Sequence, residues 1–333
     1  MSLVSLGDMA QTFMLRGQIN RLKGEVTRTT AELASGQKLD VAQSLNGDTA
    51  QLSSYLRAQA LIQGYQTAAS DQALQAEAMQ SAVETVLDLG EGLVSPIMTA
   101  AQSLSTQVFD TVARDAQSRL TAAVAALNVS VAGRYPMAGV SSGSPPLPSG
   151  ELLLADLQTV VDGASTPEEV VSRLSDWFNG STGYSSAAYA GGDGAKPVQI
   201  SRTEVVSLSV TANDPEIRRA LHGLAVAAML DAPNISLNAE QRQTLATMAY
   251  AELDAGNAAA VNLGARIGTM QQQIDVAQSR NGSEALVFES RIARDIEADP
   301  FTLATELEAV QTNLEMVYSI TARLSRLHLS DYL

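Results

Sequence analysis

The sequence predicts a mainly α protein: an elongated antiparallel helical bundle built from both termini, with a small α+β domain inserted in the middle. Three observations predict it. Apolar residues recur at alternating steps of three and four near both ends of the chain, the period of coiled-coil packing. Eight of the ten prolines lie between Pro136 and Pro233, so helix breakers concentrate in the centre. Aromatic residues are only 4% of a chain that is 45% hydrophobic, a composition suited to slim helices lying close together.

The first helical series is Leu15, Ile19, Leu22, Val26, Thr29 and Leu33. Gly36 in "LASGQK" stops it, as glycine does beyond a helix C-terminus. A second seam holds Ile62, Tyr65, Ala69, Ala76, Met79, Val83 and Val86, and the glycines and proline of "LGEGLVSP" (89–96) predict a break after it. Val108, Val112, Leu120, Val124, Leu127 and Val131 mark a further helix.

The middle reads differently. "SSGSPPLPSG" (141–150) is a loop, and residues 152–163 and 166–180 are short helices. Thr166 caps the second of these and Pro167 fills its first turn. Trp177 and Phe178 are the expected anchors of a small core. "STGYSSAAYAGGDGAKP" (181–197) reads as a flexible connector, the alternation over 198–214 as two strands, and "DPEIRRALHGLAVAAML" as a helix capped by Asp214.

The C-terminal arm mirrors the first. Leu253, Gly256, Ala260, Leu263, Ile267, Met270 and Ile274 form a seam whose small residues let helices approach closely. "SRNGSEA" (279–285) predicts a kink or break. Asp299 then caps a last helix opening at Pro300. Its seam is Leu303, Leu307, Val310, Leu314, Val317 and Leu324, with Leu327 extending it. The expected divisions are 1–40, an assembly helix; 41–135, one half of the helical core; 136–235, the insertion; 236–299, the other half; and 300–333, a second assembly helix.

The seams run close to both chain ends. Each terminal helix would be about 40 Å long. One partner helix covers only part of such a seam, so the two ends are expected to order together and among copies or neighbours. The candidate assembly residues are therefore Leu15, Ile19, Leu22, Val26, Leu33, Leu303, Leu307, Val310, Leu314, Val317, Leu324 and Leu327.

Composition excludes several function classes. A formal net charge of −15 opposes binding to nucleic-acid phosphates. With no cysteine there is no disulfide frame, thiol nucleophile or zinc–cysteine site. The first residues lack the basic start and apolar run of a cleaved secretory signal. The longest apolar stretch, "LHGLAVAAML", is about half of a membrane span. "GVSSG" (139–143) fits the serine-hydrolase pattern, but "SPPLPSG" follows where that elbow needs a helix. "SGQK" (35–38) is a helix stop. His222 and His328 are the only histidines, and both are expected in packed seams. No catalytic, cofactor or metal residues are therefore assigned.

Two terminal stretches carry a family resemblance. "DIEADPFTLATELEAVQTNLEMVYSITARLSRLHLSDYL" (295–333) is similar to the ending of bacterial flagellin-type axial proteins, where an acidic D-I-E-x-A-D leads into a long heptad helix closing on L-x-x-Y-L. "INRLKGEVTRTTAELASGQKL" (19–39) resembles the first helix of that family and its glycine stop. "GRYPMAGV" (133–140) resembles the G-R-Y-L-F-x-G turn of the hook-associated protein 3 (FlgL) branch, with Pro136 and Met137 in place of Leu and Phe. "DVAQSLNGD" stands where that branch carries N-x-x-D-D-P.

The resemblance implies nested antiparallel helices from both termini and a non-enzymatic structural role at the junction of hook and filament, outside the cell. It implies self-association in a ring or tube, with hook-associated protein 1 and flagellin as neighbours. A flagellar export chaperone would cover the C-terminal helix, and export would follow the type III route without a cleaved signal. Flagellin itself is the alternative within the family. A soluble coiled-coil adhesin or binding module is the alternative outside it.

Overall fold

The computed structural model describes residues 6–330, with side chains described for 10–323. It is mainly α, as the periodicity predicts. In chain order the elements are α1 (Leu6–Ser35), α2 (Val41–Ser44), α3 (Ala50–Ala101), α4 (Thr106–Leu127), α5 (Gly150–Val160), α6 (Pro167–Asn179), β1 (Val198–Gln199), β2 (Val205–Val206), α7 (Pro215–Ala228), α8 (Ala239–Ile296) and α9 (Pro300–Ser330). The chain divides into two compact units, Ile62–Ser283 and Met1–Leu61 with Glu284–Leu333.

The Ile62–Ser283 unit owns the deep core. On α3 the seam continues well past Val86: Gly90, Leu93, Ile97 and Ala100 are all buried. The break expected at 89–96 does not form, because the three–four spacing of buried residues outlasts the glycines and Pro96. Pro96 cannot donate to the carbonyl four residues back. Arg119 of α4 lies against that turn, donating to the Leu89 carbonyl at 3.1 Å. It fits only because residue 92 has no side chain; a Cβ there would stand 2.4 Å from the guanidinium.

Helix α8 likewise runs unbroken through 279–285. Its seam extends from Ile274 through Ala277 to Asn281, which is buried and donates its amide to the Ile200 carbonyl at 2.7 Å. A buried polar residue thus replaces the expected kink, with its hydrogen bond made. Helix α7 crosses α8 at very short range. A Cβ on Gly223 would meet Leu253 Cα at 2.7 Å, and one on Gly256 would meet Ala220 Cα at 3.0 Å. The small residues of the α8 seam therefore do permit close approach.

The middle segment packs into this same core. Both expected strands form, but each spans two residues, paired antiparallel with Val198 opposite Val206. Around them Ile200, Leu208 and Val210 turn inward and are buried. The stretch 181–197 is not a free connector. Tyr184 is fully buried, donates to the Ala212 carbonyl at 2.8 Å and stacks on Phe178 at 5.5 Å. Trp177 meets the Phe178 ring edge-on at 5.0 Å.

Caps follow the sequence at two helices and depart at a third. Thr166 Oγ1 accepts from the Glu169 N–H at 3.2 Å, and Asp299 Oδ1 accepts from the Phe301 N–H at 3.1 Å. Asp214 holds the cap position of α7 without a capping bond; its carboxylate pairs with Arg266 of α8 at 3.5 Å.

His222 of α7 is enclosed in this core. Its Nδ1 lies 3.3 Å from Glu252 Oε2, and its ring meets Phe178 edge-on at 5.7 Å. Burial holds its pKa below the usual 6.5, with Arg219 adding to the depression and Glu252 and the Val171 backbone opposing it. The folded protein therefore prefers neutral His222, whereas the unfolded chain takes up a proton at ordinary histidine pH. Stability from this residue is present above about 6.5 and is lost as pH falls toward the lowered folded value. The urea midpoint is expected to drop between pH 7.5 and 5.5, and His222→Gln should flatten that part of the profile. An identical slope in the variant would contradict the assignment.

Candidate assembly interface

Helices α1 and α9 form an antiparallel pair within the other unit. Arg28 pairs with Glu306 at 3.1 Å, and Lys23 Nζ lies 5.8 Å from the centre of the Tyr318 ring, so positions on one helix rise as those on the other fall. The chain leaving α1 is tied to the α8–α9 junction. Gly36 makes the turn at φ +68°. The Lys38 N–H donates to the Ile296 carbonyl at 2.9 Å, and the Ala298 N–H donates to the Gly36 carbonyl at 3.0 Å. Lys38 Nζ adds a bond to the Asp295 carbonyl at 3.1 Å, while Glu32 Oε1 accepts from the Leu39 N–H at 2.9 Å.

The periodic residues line this pair unevenly. Leu303, Val310 and Val317, seven positions apart, are buried. Leu307 and Leu314 are half-buried, as are Leu15, Ile19, Leu22 and Val26 on α1. Thr29 is fully buried and its hydroxyl finds no partner, while Leu33 remains exposed. Leu324 and Leu327 continue the series on α9, and His328 stands beside them; their side chains lie outside the described residues. Two helices cover a seam from one side only, so most of the α1 series still shows surface.

Sequence periodicity missed a second set. Phe13 is 79% exposed and Phe301 81%, and Met14, Met316, Tyr318 and Ile320 are exposed as well. Phe13 and Phe301 each precede a seam residue by two positions, about 200° around the helix. They therefore point away from the pair. Leu56, Leu61, Leu286 and Val287 add exposed apolar surface in the same unit. Searching the sequence for large apolar residues out of phase with the seam would have found both phenylalanines. Together these side chains leave apolar surface uncovered in this unit.

The motifs with chemical associations do not assemble. Ser141 of "GVSSG" lies in a 3₁₀ turn, Pro136–Ser141, rather than between a strand and a helix. Among the described residues no three His, Asp or Glu side chains converge as metal ligands, and no helix is long and apolar enough to cross a membrane.

The sequence matches no family model and no curated protein. Solved structures share its fold. A protein assigned as a flagellar hook-associated protein from Vibrio parahaemolyticus superposes with a TM-score of 0.51 at 13% identity, over 74% of this chain and 96% of that one. FlgL of Bacillus cereus superposes with a TM-score of 0.52 at 10% identity, over 72% of this chain and 99% of that one. At these identities the likeness is one of architecture.

Proposed function

We propose that the chain is a structural protein of the bacterial flagellum, a hook-associated protein at the junction of hook and filament. One observation carries this reading: the α1–α9 pair exposes large apolar side chains, in a fold shared with two hook-associated proteins. Exposed rings are a liability in a solitary molecule and an asset in a packed array.

The assembly surface has two parts. The half-buried seam residues Leu15, Ile19, Leu22, Val26, Leu307 and Leu314 present their open sides, with Leu33 exposed beside them, and Leu324 and Leu327 belong to the same sequence series. Phe13 and Phe301 extend the contact to the opposite faces. In a ring or tube each copy meets the next through unlike patches. Hook-associated protein 1 and flagellin are the neighbours, and an export chaperone covers α9 beforehand. The protein acts outside the cell and performs no catalysis. The turn at 133–140 supports the junction over the filament subunit.

Deleting residues 300–333 in the native bacterium tests this. Bare hooks, free flagellin in the medium and loss of swimming are expected. Full filaments and normal swimming would refute it. Purified protein that polymerised alone into long filaments would instead make it a filament subunit.

A further inference from the structure

Arg134 and Lys196, both in the Ile62–Ser283 unit, make neither a side-chain hydrogen bond nor an ion pair within the protein. In a chain with 36 acidic and 21 basic residues this is unusual, and Arg134 and Lys196 converge on one cavity of about 110 Å³. Among the described residues lining it they are the only charged ones. The other polar side chains there are Gln72, Gln75, Tyr135 and Ser142. None of the six makes a side-chain hydrogen bond or ion pair within the protein.

Gln72 is only 8% exposed and lines the cavity, and no side-chain hydrogen bond within the protein engages its amide. The backbone holds the two cations in place independently. Val131 and Arg134 exchange both backbone hydrogen bonds, at 2.8 and 3.0 Å, across a tight turn with Ala132 at φ +50° and Gly133 at φ +75°. The Lys196 loop is tied down where the Gly192 N–H donates to the Ala138 carbonyl at 2.9 Å. It closes over Gly139, where a Cβ would stand 2.0 Å from the Gly192 oxygen.

The geometry points to a carboxylate-binding site, with Arg134 and Lys196 supplying charge and Gln72 and Gln75 supplying amide donors. A volume of about 110 Å³ suits a group of a few heavy atoms, since liquid water takes about 30 Å³ per molecule. An adjoining cavity of about 310 Å³ shares Gln72, Gln75 and Arg134 but adds Asp71, so the anion belongs in the smaller one. The site requires no flagellar role. Its carboxylate comes either from a free small acid or from an acidic side chain of another copy of this strongly acidic chain.

The test is an NMR titration of the full chain with sodium acetate, against sodium chloride at matched ionic strength. The Gln72 and Gln75 side-chain amide signals should shift saturably with acetate and not with chloride. Arg134→Gln and Lys196→Gln should each weaken binding roughly tenfold, the effect of losing one charge-assisted hydrogen bond. Neither residue has an internal partner to lose, so both variants should keep the wild-type backbone spectrum. Sedimentation separates the two sources. Self-association reversed by acetate and abolished by Arg134→Gln identifies a second copy; a monomer that binds acetate identifies a free acid, and either result upholds the site. Equal responses to acetate and chloride, or unchanged acetate affinity in both variants, would overturn it.

Discussion

A chain carrying Phe13→Lys and Phe301→Lys is expected to fold normally and fail to assemble. Both rings are about four-fifths exposed, so the isolated molecule loses little when they are replaced. Surface substitutions of this kind usually change stability by within about 0.5 kcal/mol each, and the melting temperature should move by no more than about 4 °C. An assembled copy would lose the burial of two aromatic side chains, worth about 1.5–3 kcal/mol each. That is a hundredfold or more in the affinity of one copy for its neighbours, before the cost of burying two ammonium groups. Bacteria with only this variant should swim poorly, and their isolated hooks should lack the protein. Wild-type swimming with the variant on the hook would remove the outward rings from the assembly surface.

Gly223→Val should have the largest effect on folding. The new Cβ would meet Leu253 Cα at 2.7 Å and the Glu252 carbonyl oxygen at 2.8 Å. Both are backbone atoms of α8, which cannot rotate away as a side chain can. Overpacking of this kind costs roughly 3 kcal/mol, a fall in melting temperature of about 6–12 °C for a unit of this size. Gly268→Ala gives the opposite sign. It lies in α8 with nothing within 4 Å of its added Cβ, and should gain up to about 1 kcal/mol from helix propensity. If the two variants melted alike, the α7–α8 crossing would not be limiting.

The long helices were legible because their buried residues keep strict step. Leu253 through Ile274 on α8 and Leu303 through Val317 on α9 could be picked out from spacing alone. The same spacing continues through 89–96 and 279–285. Gly90 and Asn281 occupy seam positions there, but glycine and "NG" look like punctuation. Burial, and for Asn281 the waiting Ile200 carbonyl, decides otherwise; neither can be seen without the partner segment. The stretch 181–197 was hidden by composition, since its serines and glycines conceal Tyr184, whose partner Ala212 lies 28 positions on.

The candidate interface was half legible. Periodicity finds residues that face a partner and overlooks those, such as Phe13 and Phe301, that face nothing in the monomer. The cavity at Arg134 was not legible at all. It depends on three distant segments meeting, which bring Arg134 and Lys196 to one cavity.

The first helix meets the last across 278 positions, at Arg28 and Glu306. A nascent chain grows at about 5–20 residues per second, so α1 leaves the ribosome roughly 15–55 s before its mate exists. Chain closure over such a span adds little entropy per added residue; the delay comes from the order of synthesis. The 31 residues of α9 are made after α1, and until they emerge α1 lacks the helix it pairs with in the folded unit.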